Sequence, residues 1–397
     1  MVDAQITKLA HNIPKLYVIQ GLKASMIVMP IITLFFQENG LSMQDIFVLQ
    51  AVFSIAAIIT EIPSGYLSDK IGHKRAIVLG LIVATFGMFV YTISYGFWMI
   101  LLAEIVLGIG YAFVSGADSA LLYNSLLAIK REDEHKKIES RLISIGGFSQ
   151  AIGGILGAFL ATITLRTPFF IEAVIMLITI PIGLSLIEPA VKKAKDTSAN
   201  IWQEMMQIVS YSLHGHKQLK WIIIYAGTIS TSTLAFVWFM QPYWQLVDIP
   251  IIWFGVLWAV LNVSIGIFAP LAHKFEEVFG LRKALISLVV LVAIAYMILG
   301  LYPTLVAVPA ILIFYFVRAV QQPILRDYVH KIIDSDIRAT VLSIKNLVGR
   351  LIFVVIGPIL GYASDALTLP SALIISSITF FILGVIPLFF LHKHKAL

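Results

Sequence analysis

Six ionisable residues stand out inside long apolar stretches of this sequence, Lys23, Glu104, Asp118, Arg318, Lys345 and Arg350, with Glu61 and Glu172 toward the ends of two more. A charge among hydrocarbon side chains and lipid is costly, and it persists where it binds a partner, carries a proton or meets another charge. Four of the six are cations. An arginine fork suits a carboxylate or phosphate, so Lys23, Arg318, Lys345 and Arg350, set against Glu104, point to a cavity for an anionic or zwitterionic solute. Glu104 is the first candidate proton carrier, because a buried carboxyl can change protonation when a cavity opens to water. Asp118 is the second, with pairing to Arg141 as its structural alternative. For Lys23, Arg318 and Lys345 the alternative is internal pairing that holds helices together.

Polar and aromatic candidates accompany these charges. The stretch "FVWFMQPYW" (236–244) offers Phe236, Trp238, Phe239 and Gln241 as one wall of a cavity. Aromatics near a membrane interface also serve as anchors, which is the reading preferred for Trp253. Asn262 and Asn346 are candidate hydrogen-bonding contacts, or bridges between helices. His214 and His216 lack a third ligand and cysteine is absent, so no metal site, disulfide or cysteine nucleophile is expected. Neither G-x-x-x-x-G-K-[ST] nor HExxH occurs. The chain therefore reads as a non-enzyme that needs no cofactor.

These residues require elements that span a membrane. Of 397 residues, 59% are hydrophobic and 13% charged, with mean hydropathy +0.94; a soluble domain carries about 25% charged residues. Crossing the hydrocarbon takes about 20 apolar residues, and twelve such runs follow one another from about 14–37 to 370–391. Continuous rather than alternating apolarity makes them helices. Lysine and arginine favour cytoplasmic loops. With the N-terminus inside, only Arg166 among the 28 falls in an outer loop, so both termini are expected to be cytoplasmic. The net charge of +6 is spread over these loops, so no nucleic-acid surface is expected. The N-terminus shows no signal-peptide pattern.

The hydrophilic stretch 189–218 divides the chain into a bundle at 1–188 and a bundle at 219–397, with an amphipathic surface helix expected around Trp202 to Ser212. The halves align at an offset of 204 residues: Ile155, Leu156 and Gly157 fall on Ile359, Leu360 and Gly361. After an insertion of four residues, "GHKRAIVL" (72–79) falls on "GLRKALIS" (280–287). The expected fold is an all-α membrane protein of twelve transmembrane helices in two pseudo-symmetric six-helix bundles. Duplicated bundles of this kind place their site at the repeat interface.

The loop "GYLSDKIGHKR" (65–75) resembles the signature between the second and third helices of the major facilitator superfamily. Gly65, Leu67, Asp69, Lys70, Gly72, Lys74 and Arg75 match, with His73 where a basic residue is usual. "TEIPSGYLSD", "SGADSALLYNSL" and "RATVLSI" are similar to a bacterial efflux-type branch. The resemblance implies that spans one, four, seven and ten line a central cavity. It also implies that Asp69 latches onto the start of span eleven, where Arg338 adds positive charge. A role restricted to fixing topology is the alternative. Two departures stand out. Span five has Gly153-Gly154-Ile155-Leu156-Gly157-Ala158 in place of G-P-x-x-G-G, and Glu104 stands where many members carry an arginine.

The expected function is a secondary active transporter in the cytoplasmic membrane, working as a monomer by alternating access. Its partners would be a small organic solute, a proton or other coupling ion, and the lipid bilayer. Proton-coupled export of an anionic, zwitterionic or amphipathic solute is the first reading, and proton-coupled uptake of an organic anion or nutrient the second. Further alternatives are a multidrug exporter of lipophilic cations, a membrane enzyme and a transport-dead sensor.

Overall fold

A computed structural model describes residues 8–189, 210, 212, 215–333 and 337–394 of the chain. Among them no strand occurs, and the long apolar runs are helices. In chain order come α1 (Asn12–Lys23), α2 (Ile32–Glu38), α3 (Met43–Ile71), α4 (His73–Ile93), α5 (Gly96–Val114), α6 (Ala117–Ala128) and α7 (His135–Ala161). There follow α8 (Thr167–Leu184), α9 (Lys217–Leu246), α10 (Ile251–Phe268), α11 (Leu271–Leu301), α12 (Ile311–Ile332), α13 (Arg338–Ala366) and α14 (Leu369–Lys393). The fold is all-α, and the chain is a multi-pass membrane protein. Among the described residues eleven helical stretches are long and apolar enough to cross a membrane.

The twelfth expected span, the first in the chain, is not one helix. It divides into α1 and α2, with residues 24–31 outside both. Pro30 supplies the local reason, since it lacks the amide that would bond back to Met26 and disfavours helix at the residue before it. Met26 itself has a left-handed backbone, φ 44°. The fourth run, 97–127, also divides, into α5 and α6 on either side of Ser115 and Gly116 (φ 83°).

Two compact units contain the described residues. One draws on Met1–Leu41, Val52–Lys193 and Pro250–Val260; the other on Ser42–Ala51, Ala194–Ile249 and Leu261–Leu397. The core of the first joins Leu16 and Ile19 of α1 to Ile77 and Leu81 of α4 and to Leu121 and Leu122 of α6. Phe35, Tyr91 and Phe169 form a second, aromatic knot there, with ring centroids 4.1 to 6.3 Å apart. The second unit is centred on Tyr296, whose ring meets Phe236, Phe314 and Phe380. The internal repeat shows in the backbone. Gly72 (φ 102°) opens α4, and its aligned partner Gly280 (φ 70°) bends α11, each in a region that only glycine enters freely.

Most of the expected surface helix (Trp202 to Ser212) lies outside the described residues, as does His214. His216 has a structural role, because its Nδ1 accepts a hydrogen bond from the Leu219 amide at 3.1 Å and caps α9.

Candidate functional site

The two breaks bring opposite charges together. Lys23 lies in the last turn of α1, where a cation is favoured, and Asp118 in the first turn of α6, where an anion is favoured. Lys23 Nζ stands 3.3 Å from Asp118 Oδ2. Asp118 Oδ1 accepts from the Ser119 amide, and Ser119 Oγ donates to Glu139 at 3.2 Å. These groups, with Gln20, line one cleft of the first unit. Asp118 thus pairs with Lys23, not with Arg141, and Lys23 is matched by Asp118 rather than by Glu104.

Glu104 is buried elsewhere in the same unit. Its carboxyl lies beside the Tyr91 hydroxyl, and Tyr111 is close both to it and to Glu172 of α8. Glu172 is 2% exposed. Its Oε2 accepts from the Val28 amide at 3.0 Å, and the Ile27 amide faces the same carboxyl. The glycines of span five hold the other side of this break. A Cβ on Gly153 would lie 1.9 Å from the Ser25 carbonyl oxygen, and one on Gly157 1.8 Å from that of Ile27. The departure from G-P-x-x-G-G therefore keeps the two glycines that permit this approach.

The charged loop carries a cap that the sequence does not announce. Glu188, which the sequence reading did not single out, accepts from the His73 and Lys74 amides at 3.0 and 2.7 Å and caps α4 beside Gly72. Asp69 is exposed on the last turns of α3, as is Gly65. Lys70 and Lys74 belong to the same turn, and Arg75 reaches back toward the Ile71 carbonyl at 3.4 Å. Arg338 begins α13, and its side chain is outside the description.

The profile of the Major Facilitator Superfamily matches residues 17–355 of this sequence. The chain belongs to that superfamily. Among curated proteins it is 22% identical over 235 residues to the quinolone resistance protein NorA of Staphylococcus aureus (strain MRSA252), covering 59% of this chain and 56% of NorA. The match thus spans just over half of that relative. It is 24% identical over 289 residues to the MFS-type transporter YceJ of Bacillus subtilis (strain 168), covering 71% and 70%. Two solved structures share its fold. One is the nucleoside transporter NupG, with TM-score 0.79, 12% identity and 96% and 98% coverage. The other is a bacterial homologue of the lysosomal transporter Spinster, with TM-score 0.72, 15% identity and 96% coverage of each chain.

In this superfamily member the remaining candidates fall in the second unit. Lys345 of α13 is 9% exposed, and the charge facing it is another cation, Arg326 of α12. Arg326 was not among the sequence candidates; it lies within two turns of the C-terminal end of α12, near the edge of the apolar run. Arg318 is exposed on α12 close to Tyr315, Arg350 is half-buried, Asn262 is half-buried and Asn346 is exposed. Phe236 stacks on Phe314 at 4.2 Å, and Phe239 packs on Phe47 at 4.9 Å, so both rings brace the unit. Gln241 is buried. Trp238 is 6% exposed, and its indole N–H has no hydrogen-bond partner among the described residues.

Proposed function

We propose that this chain is a secondary active transporter of the cytoplasmic membrane that exports a small anionic, zwitterionic or amphipathic organic solute in exchange for protons. It acts as a monomer by alternating access, with bundles at 1–188 and 219–397 joined by 189–218, both termini cytoplasmic, and the Gly65–Arg75 loop as its latch. Lys345 carries this reading. A lysine nine-tenths buried beside an arginine, with no carboxylate in ion-pairing range among the described residues, is a poor structural arrangement and a good receptor for an anion. The open Trp238 indole N–H offers a neutral donor in the same unit. Similarity to a protein named for quinolone resistance supports export. Glu104 remains a candidate for coupling, buried beside two tyrosines.

The test is thermal unfolding of the purified chain against anionic, zwitterionic and lipophilic cationic solutes. A solute at a hundred times its Kd stabilises the folded state by about 2.7 kcal/mol. Stabilisation by anions that is lost in Lys345→Ala and in Arg326→Ala is the expected result. Stabilisation by lipophilic cations alone, unchanged in both variants, would overturn the anion reading.

A further inference from the structure

We propose that Glu172 is a proton-binding site that sets the conformation of the break in the first span, an inference that rests on the proton-coupled reading above. The carboxyl is 2% exposed and accepts from the Val28 amide, with the Ile27 amide facing it. Both amides belong to residues 24–31, which lie outside α1 and α2. The groups that face Glu172 are few. From α5 come Tyr111 and, beyond it, Glu104; from α4 comes Tyr91 through the Phe169 ring; no lysine, arginine or histidine faces it among the described residues. What holds this carboxylate in a membrane is therefore the pair of backbone donors.

The dependence is mutual. A backbone amide without a partner costs several kcal/mol in a bilayer, and hydrogen bonds to an ionised acceptor are about twice as strong as neutral ones. While Glu172 is ionised, it supplies the acceptor that the broken segment lacks. A proton taken from water onto the carboxyl removes that charge and turns one oxygen into a donor. The helical partners of the Ile27 and Val28 amides are the carbonyls of Lys23 and Ala24, four residues back. Protonation thus favours winding of residues 24–28 onto the end of α1. Lys23 is the residue that α1 presents to Asp118, so the winding acts directly on that ion pair. Gly153 and Gly157 leave only hydrogens against the Ser25 and Ile27 carbonyls, which gives the segment a smooth wall to move along.

The second half of the chain serves as an internal control. At the offset of 204, Glu172 falls on Ser376, whose hydroxyl donates to Ala372 within its own helix at 2.7 Å. Ile27 and Val28 fall on Thr231 and Ser232, inside the unbroken α9. The copy without the carboxylate is the copy without the break.

Two measurements on the full-length protein test the proposal. Infrared difference spectra between about pH 5 and about pH 9, the range over which buried carboxyls titrate, should show a protonated carboxyl band that Glu172→Gln abolishes and Glu104→Gln keeps. The chain has no cysteine, so Ser25→Cys introduces a single thiol into the break. Its maleimide labelling, corrected for thiol ionisation, should change about tenfold across that range, as when a state of a few per cent becomes dominant. In the Glu172→Gln background it should stay flat. Equal pH dependence in both backgrounds, or no Glu172 band, overturns the proposal. If Glu172→Gln fails to fold, Glu172→Asp must move the midpoint of the band, and an unmoved midpoint is equally fatal. The coupling reading fails separately: transport indifferent to a proton gradient refutes it even where Glu172 titrates, and gradient-driven transport without a Glu172 band refutes only the switch.

Discussion

Gly157→Ala is the sharpest probe of the packing that holds the broken span. The added methyl would sit 1.8 Å from the Ile27 carbonyl oxygen and 2.8 Å from its carbon. Ordinary contact begins at about 3.5 Å, so α7 and the break must part by well over 1 Å at a point where both sides are backbone. Overpacking of a tight interior typically costs about 1–3 kcal/mol. Here the upper end, ~3 kcal/mol, is expected, because the displaced carbonyl belongs to the residue beside Val28, whose amide is fixed on Glu172. For a folding unit of roughly 150–250 residues that corresponds to a fall in Tm of about 6–12 °C. Gly147→Ala on the same helix is the control, since nothing lies within 4 Å of its added carbon. In a helix it should be neutral or stabilising by about 0.5–1 kcal/mol. The assay is thermal unfolding of the two variants in one detergent. If Gly157→Ala melts within about 1 °C of Gly147→Ala, the close approach is not a feature of the folded protein and the argument from it fails.

Two further outcomes follow from the same unit. A double-mutant cycle on Lys23→Met and Asp118→Asn should give a favourable coupling of about 0.5–3 kcal/mol, with transport impaired more by either single change than by both together; additive effects would mean the 3.3 Å pair is incidental. Arg166 lies over the Tyr95 ring at 4.0 Å while donating to Asn39 at 2.8 Å and to the Thr92 carbonyl at 3.2 Å, so Arg166→Lys should lower Tm nearly as far as Arg166→Ala, because an ammonium cannot stack and fork together; full rescue by lysine would refute that geometry.

Eleven of the twelve expected spans, the helical class and the superfamily were legible because they rest on composition, run length and one charged loop, all local properties of the string. The repeat was legible for the same reason and reappears in the matched φ angles of Gly72 and Gly280. The broken first span was harder to read. Pro30 and Ser25 marked it, yet apolar residues on both sides kept the run continuous. Partners separated by a hundred residues were the least legible. Asp118 has an adjacent-looking cation in Arg141, but its pairing with Lys23 depends on two helix ends meeting. Glu172 and Glu188 look like span-edge carboxylates in the sequence, and only the fold shows that each caps distant backbone amides, 144 residues away for Glu172 and 115 for Glu188.

The two halves of the chain divide these features unequally. Among the described residues the interruptions at 24–31 and at Ser115–Gly116 fall in the first half, and the aligned stretches of α9 and α12 are continuous. Among the described residues the buried acidic groups, Glu104 and Glu172, also belong to the first half. The second half holds the surplus of cations: Arg318, Arg326, Lys345 and Arg350. A duplicated fold needs no such separation to be stable, since each copy buries its own core. Placing the interrupted helices and buried carboxyls in one copy, and most of the cations within helices in the other, suits the proposed exchange, in which the first unit would take the proton and the second would hold the anion. Exchanging the roles should therefore fail, because a carboxylate introduced at Ser376 has no broken helix to cap in the aligned stretch of α9.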